Sequence, residues 1–145
     1  MLQTKSQHNI TNQKTIKLFF GILAGVAAYA IVGLSGLYLL KICWADYAIA
    51  AKDKSYTTEM LLSRLFIGII AAIAAGISTS KNSEIMKSVW FAAAVIFTYA
   101  AYTHFVKVWP DYPVWYHLSY LLPIIPVIVL SSYLLQKNKS NTDTK

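Results

Sequence analysis

Four apolar runs, separated by short polar gaps, organise this 145-residue chain. They cover about residues 18–44, 60–79, 88–106 and 114–135. A hydrocarbon core about 30 Å thick takes roughly 20 apolar residues as a helix, so each run is long enough to cross it. The pattern predicts an all-α fold: a membrane-embedded four-helix bundle with antiparallel up-down spans, forming one domain over residues 18–135. Residues 1–17, with Lys5, Lys14 and Lys17, read as a short mobile tail, and residues 136–145 as a second polar tail. A basic start followed by apolar sequence also resembles a signal peptide. The first run far exceeds the roughly 7–15 residues of a signal core, so it reads as an uncleaved span.

Details within the runs sharpen this picture. At 1.5 Å per residue the first run reaches about 40 Å, which predicts a tilt or an end projecting into the interface. Trp44 and Tyr47 suit an interfacial aromatic belt there, and Lys41 can snorkel outward. Tyr47 to Ala51 suit a short interfacial helix. Gly21 and Gly25 in the first run, and Gly68, Ala72 and Gly76 in the second, recur at four-residue spacing. Small residues so spaced let helix backbones approach closely, and packing within the chain is favoured over dimerisation. Trp109-Pro110-Asp111-Tyr112-Pro113 cannot continue a helix. Pro113 can open the next one, with Tyr112 or Asp111 at its cap. Pro123 and Pro126 inside the last run predict a kinked fourth helix whose freed carbonyls, those of Ser119 and Leu122, turn toward the bundle.

Composition changes the picture in three respects. Only 13% of residues are charged, and these gather at the ends and in the gaps. The net charge of +7 does not indicate nucleic-acid binding, because the lysines flank apolar spans instead of forming a patch on a soluble fold. They set orientation instead. Eight basic residues lie on the side holding both ends (Lys5, Lys14, Lys17, Lys81, Lys87, Lys137, Lys139, Lys145), against five on the other (Lys41, Lys52, Lys54, Arg64, Lys107). That excess predicts a multi-pass protein of a bacterial inner membrane with cytoplasmic N- and C-termini. The single Cys43 excludes an internal disulfide, a Cys-x-x-Cys pair and a thiolate metal cage.

The opposite side collects the candidate chemistry: Asp46, Glu59, Arg64, His104, Asp111 and His117. Arg64 sits one turn inside its helix. It should snorkel to phosphate, or pair with Glu59, Asp111 or Asp46. His104 ends the third span and His117 begins the fourth, so a short connection can bring the imidazoles together. One reading makes these groups stitches between helix ends. The other makes them a site for a ligand, a divalent metal or a haem held by His104 and His117. The first, third and fourth spans have no ionisable group at their middle, which disfavours proton-coupled transport. The first helix has no acid between Leu18 and Cys43, unlike four-span multidrug exporters, and no His-Glu-x-x-His protease motif occurs. The role expected is therefore non-enzymatic: an accessory protein in the lipid bilayer that packs with another membrane protein or itself. The alternative is ligand, haem or metal binding through the His104/His117/Arg64 layer.

Lys54-Ser55-Tyr56-Thr57-Thr58-Glu59-Met60-Leu61-Leu62-Ser63-Arg64-Leu65 and Tyr112-Pro113-Val114-Trp115-Tyr116-His117-Leu118 resemble segments of a group of small four-span bacterial membrane proteins. The likeness covers most of residues 18–135. It implies the same architecture and no known activity. It also directs attention to Arg64 and to Pro113 through His117, Tyr116 among them.

Overall fold

Four long helices and one short one follow each other in order. They are α1 (Leu2–Cys43), α2 (Ala45–Asp53), α3 (Thr58–Asn82), α4 (Met86–Tyr102) and α5 (Val114–Thr142). The structure, a computed structural model, describes the backbone of residues 2–142 and the side chains of residues 12–139. Four helical segments are long and apolar enough to cross a bilayer: Asn12–Cys43, Thr58–Asn82, Met86–Lys107 and Val114–Lys139. The chain is thus an all-helical, multi-pass membrane bundle.

The helices outrun the apolar runs at both ends of the chain. α1 begins at Leu2, so the segment expected as a mobile tail continues a helix. No glycine or proline interrupts it before Gly21, and the backbone hydrogen bonds of a helix need no apolar side chains. α5 likewise extends to Thr142 and runs through Pro123 and Pro126 without ending. The expected short helix after the first span is α2; it stops at Lys54, which takes the left-handed conformation (φ 59°). Thr57 caps α3, its hydroxyl accepting from the Met60 amide (3.4 Å).

Around the bundle each helix touches two main neighbours: α1 packs on α3 and α4, and α5 packs on α3 and α4. Small residues decide the closest approaches. Gly21 lies against Ser83 and Ser88, and Gly25 against Thr79, so α1 and α3 run antiparallel in close contact. Gly68 faces the ring of Tyr120, and Gly76 faces Ser131 and the Ile128 carbonyl. Both numbers rise together, so α3 and α5 are parallel neighbours although consecutive spans alternate in direction. Gly21 and Gly25 are therefore used inside the chain, as their spacing predicts. The main core joins α3, α4 and α5 through Ala72, Ala75, Val89, Ala93, Ile96, Ala100, Leu121, Ile124 and Ile128. A smaller cluster of Tyr47, Ala50 and Met60 seats α2 on the bundle. Tyr47 is fully buried there, which corrects its expected place in an interfacial belt.

The end holding the chain termini carries a seam of buried hydroxyls: Thr79, Ser80, Ser83, Ser88 and Ser132. Ser80 bonds to Ser132, Thr79 donates to the Ala75 carbonyl (2.8 Å), and Ser78 donates to the Ala24 carbonyl (3.2 Å). In lipid, association rests on such packing and bonds, because apolar burial between helices gains little over contact with acyl chains.

Adding one methyl group tests this arrangement. A Cβ at Gly76 would strike the Ile128 carbonyl and Ser131, whereas one at Gly33 meets only Ala71 Cβ, at 4.0 Å. Gly76→Ala should destabilise the bundle by about 1–3 kcal/mol and Gly33→Ala by much less, read as unfolding midpoints in detergent. Equal midpoints would contradict the α3–α5 contact.

Candidate ligand-binding site at the α2 end of the bundle

At the end opposite the termini, α4 does not stop cleanly. Thr103–Lys107 form a π-helical turn, closed by the Val108 amide donating to the Thr103 carbonyl (3.1 Å). Trp109–Asp111 then make a single 3₁₀ turn, with Pro110 supplying a fixed φ and no donor. The wider turn carries His104 at its second position, and His104 is buried.

His104 and His117 do meet. Their Nδ1 atoms lie 2.9 Å apart, with the rings at right angles. His117 Nε2 faces the carbonyl oxygens of Tyr112 (3.2 Å) and Trp109 (3.4 Å). Carbonyls only accept, so Nε2 of His117 carries the hydrogen. In a neutral pair His117 Nδ1 then accepts, His104 Nδ1 donates, and His104 Nε2 keeps its lone pair. His104 stacks against both Tyr120 (4.5 Å between centroids) and Tyr116 (5.6 Å). Gly68 makes this possible, since a Cβ there would come within 2.9 Å of the Tyr120 ring.

Arg64 is held by aromatic residues instead of acids. Its Nε donates to Tyr116 Oη (3.2 Å) and its Nη1 to Tyr47 Oη (3.3 Å). The guanidinium lies 4.9 Å from the centroid of Tyr56 and 5.2 Å from that of Tyr112. Among the described residues no carboxylate pairs with it, so the pairing with Glu59, Asp111 or Asp46 that stood as the alternative to snorkelling does not form. Asp111 instead accepts from Lys54 Nζ (2.7 Å), tying the α2–α3 connection to the α4–α5 connection. It therefore neither caps α5 nor belongs to the Arg64 cluster. Glu59 and Asp46 are exposed. Burial pushes the Tyr47 and Tyr112 phenols above their ordinary range, against the pull of Arg64. Both stay protonated at neutral pH and offer Arg64 no negative charge.

Arg64, His104, Tyr112, Tyr116 and Tyr120 line one cavity of about 430 Å³, whose remaining wall is mostly apolar. The Tyr29 and Tyr120 hydroxyls, 3.0 Å apart, bridge α1 and α5 along it. Leu34 of α1 and Tyr99 of α4 line the cavity and are also exposed on the outside of the bundle. The space therefore opens laterally between α1 and α4, toward lipid.

Of the residues singled out from the sequence, the structure brings Arg64, His104, Tyr116 and His117 together and sets Asp111 apart. Tyr29, Tyr47, Tyr56, Tyr112 and Tyr120 were not anticipated. One signal was available: Tyr116 and Tyr120 are four residues apart, which places them on one face of α5, and Tyr112 lies four residues before Tyr116 in the connection leading into that helix. The imidazoles fit a shared metal or haem iron poorly. The facing nitrogens bond to each other, and the second nitrogen of His117 is engaged by carbonyls. Among the described residues no group of three or more His, Cys, Asp or Glu gathers for a metal.

No protein-family model matches the chain, and comparison with curated proteins and with solved structures finds no match. The likeness to small four-span proteins thus rests on the two quoted segments.

Arg64→Ala removes both tyrosine hydrogen bonds and should lower stability by about 2 kcal/mol, with Arg64→Lys losing about half as much because an ammonium lacks the fork. Asp111→Asn breaks only a pair in which Lys54 is exposed and should cost about 0–1 kcal/mol. Unfolding midpoints in one detergent rank the three. An Arg64→Ala protein as stable as the parent removes Arg64 from the structural core of this end.

Proposed function

We propose that this chain is a non-enzymatic membrane protein that admits an amphipathic molecule between α1 and α4 and holds its polar head at Arg64 and His104. One observation carries the reading. An arginine with no carboxylate partner among the described residues faces a mostly apolar cavity of about 430 Å³, within the roughly 300–1,000 Å³ usual for ligand sites. Charge in such surroundings is costly unless compensated. Hydroxyls and aromatic faces compensate it in part, and a bound head group supplies what is missing. The lateral opening supports entry from the bilayer.

The excess of basic residues at the terminal end supports an inner-membrane protein with both termini in the cytoplasm, so that the cavity lies in the outer leaflet. The accessory role expected from the sequence is compatible with this reading, since a carrier of an amphipathic molecule serves whichever membrane component uses it. Self-association through Gly21 and Gly25 is not, because those faces are filled by α3.

Filling the cavity tests the reading without touching the polar groups. Protein purified in mild detergent should carry a bound amphipathic molecule detectable by native mass spectrometry. Gly33→Phe, which projects a ring into the open space at Gly33, should abolish that mass while the unfolding midpoint stays within a few degrees. A parent that carries no such mass and takes up no added amphiphile would falsify the proposal.

A further inference from the structure

We infer that the head group held in this cavity is a lipid phosphate monoester that retains one proton. The inference rests on the ligand-binding reading above and narrows it through the hydrogen-bond roles of two side chains.

The first is Arg64. A guanidinium has five N–H donors, of which Tyr116 and Tyr47 take two. One hydrogen on Nη1 and both on Nη2 are left, on a residue that lines the cavity. They call for an anionic oxygen acceptor, and two such bonds from one fork suit an oxyanion with several equivalent oxygens.

The second is His104, whose role is fixed from outside the cavity. The carbonyls of Tyr112 and Trp109 dictate the proton on His117, and His117 dictates the proton on His104. The chain ends at His104 Nε2 as a bare acceptor. His104 belongs to the cavity wall and shares Tyr116 with Arg64: its ring stacks on that phenol, and Arg64 donates to the same hydroxyl. The site therefore asks one head group for an anionic acceptor and a donor together.

Few lipid head groups meet both demands. A carboxylate or sulfate has oxygens and no hydrogen, and a long-chain alcohol has a hydrogen and no charge. A phosphate monoester loses its second proton near pH 6, so its monoanion carries a P–O–H beside two acceptor oxygens. That one tetrahedral group can donate to His104 Nε2 and accept from Arg64, while its chain lies along the apolar wall toward Leu34.

Three probes of equal chain length separate the demands: dodecyl phosphate, dodecyl sulfate and 1-dodecanol. Each is titrated in sub-denaturing amounts into the full chain in maltoside micelles at about pH 5.5, where the phosphate monoanion predominates. The Gly33→Phe protein serves as the blank. Dodecyl phosphate should bind at least about tenfold tighter than either competitor, as expected for one added charge-assisted bond. His104→Phe, which keeps a ring to stack on Tyr116 and Tyr120, should erase the advantage over dodecyl sulfate. Arg64→Gln should shrink the advantage over 1-dodecanol. Dodecyl sulfate or 1-dodecanol binding as tightly as dodecyl phosphate in the parent would overturn the phosphate assignment and leave the cavity reading intact. No probe binding above the blank overturns both. The comparison within the parent needs no variant to fold.

Discussion

A guanidinium at the end of a membrane bundle, surrounded by phenols and, among the described residues, by no acid, is the constraint on which this structure turns. Arg64 reaches Tyr47 on α2 and Tyr116 on α5, and lies against Tyr56 and Tyr112 in the two connections. One side chain of α3 thereby ties α2, α5 and both connections together. A carboxylate partner would have cancelled the charge and closed the site. Phenols satisfy hydrogen-bonding geometry and leave the charge standing, so its field extends into the neighbouring space. The same residue thus organises the fold and gives the cavity its polarity.

Close helix contacts determine where that cavity lies. Glycines draw α1 onto α3 and α3 onto α5, until side chains such as Thr79, Tyr120 and Ser131 fill the grooves. Near Gly33, by contrast, a Cβ on α1 would meet only Ala71 of α3 and no atom of α4. The opening therefore falls between α1 and α4. The Lys54–Asp111 pair joins the two connections with a largely exposed lysine, a weak tie beside the buried Arg64 cluster.

Much of the architecture was legible because lipid enforces a simple rule. Every backbone amide in the core must find a partner, so long apolar runs become helices, and their number follows from the sequence. Small residues at four-residue spacing also told truly, because close packing in lipid favours them. Other features depended on distance in the folded chain. Arg64 has Glu59 and Asp46 near it in sequence, and both point into solvent while Tyr116, fifty-two residues away, takes its Nε hydrogen. The π turn at Thr103–Lys107 leaves no mark in residue type. Residues 2–17 read as a tail because polarity reports burial, whereas a helical backbone, found from Leu2 onward, does not depend on it.

The histidine pair shows why proximity alone does not identify a site. The sequence placed His104 and His117 near each other, which suggested a metal or haem. The oxygens around them suggest another use. Two main-chain carbonyls orient His117, and it orients His104, so three rigid elements set a single lone pair at the cavity wall. A metal site needs nitrogens that converge on one point. Here they point along a line, which passes hydrogen-bond polarity from the α4–α5 connection to the cavity. A change at Trp109 or Tyr112 that moves either carbonyl would therefore alter what His104 can accept, without either residue touching the ligand through its side chain.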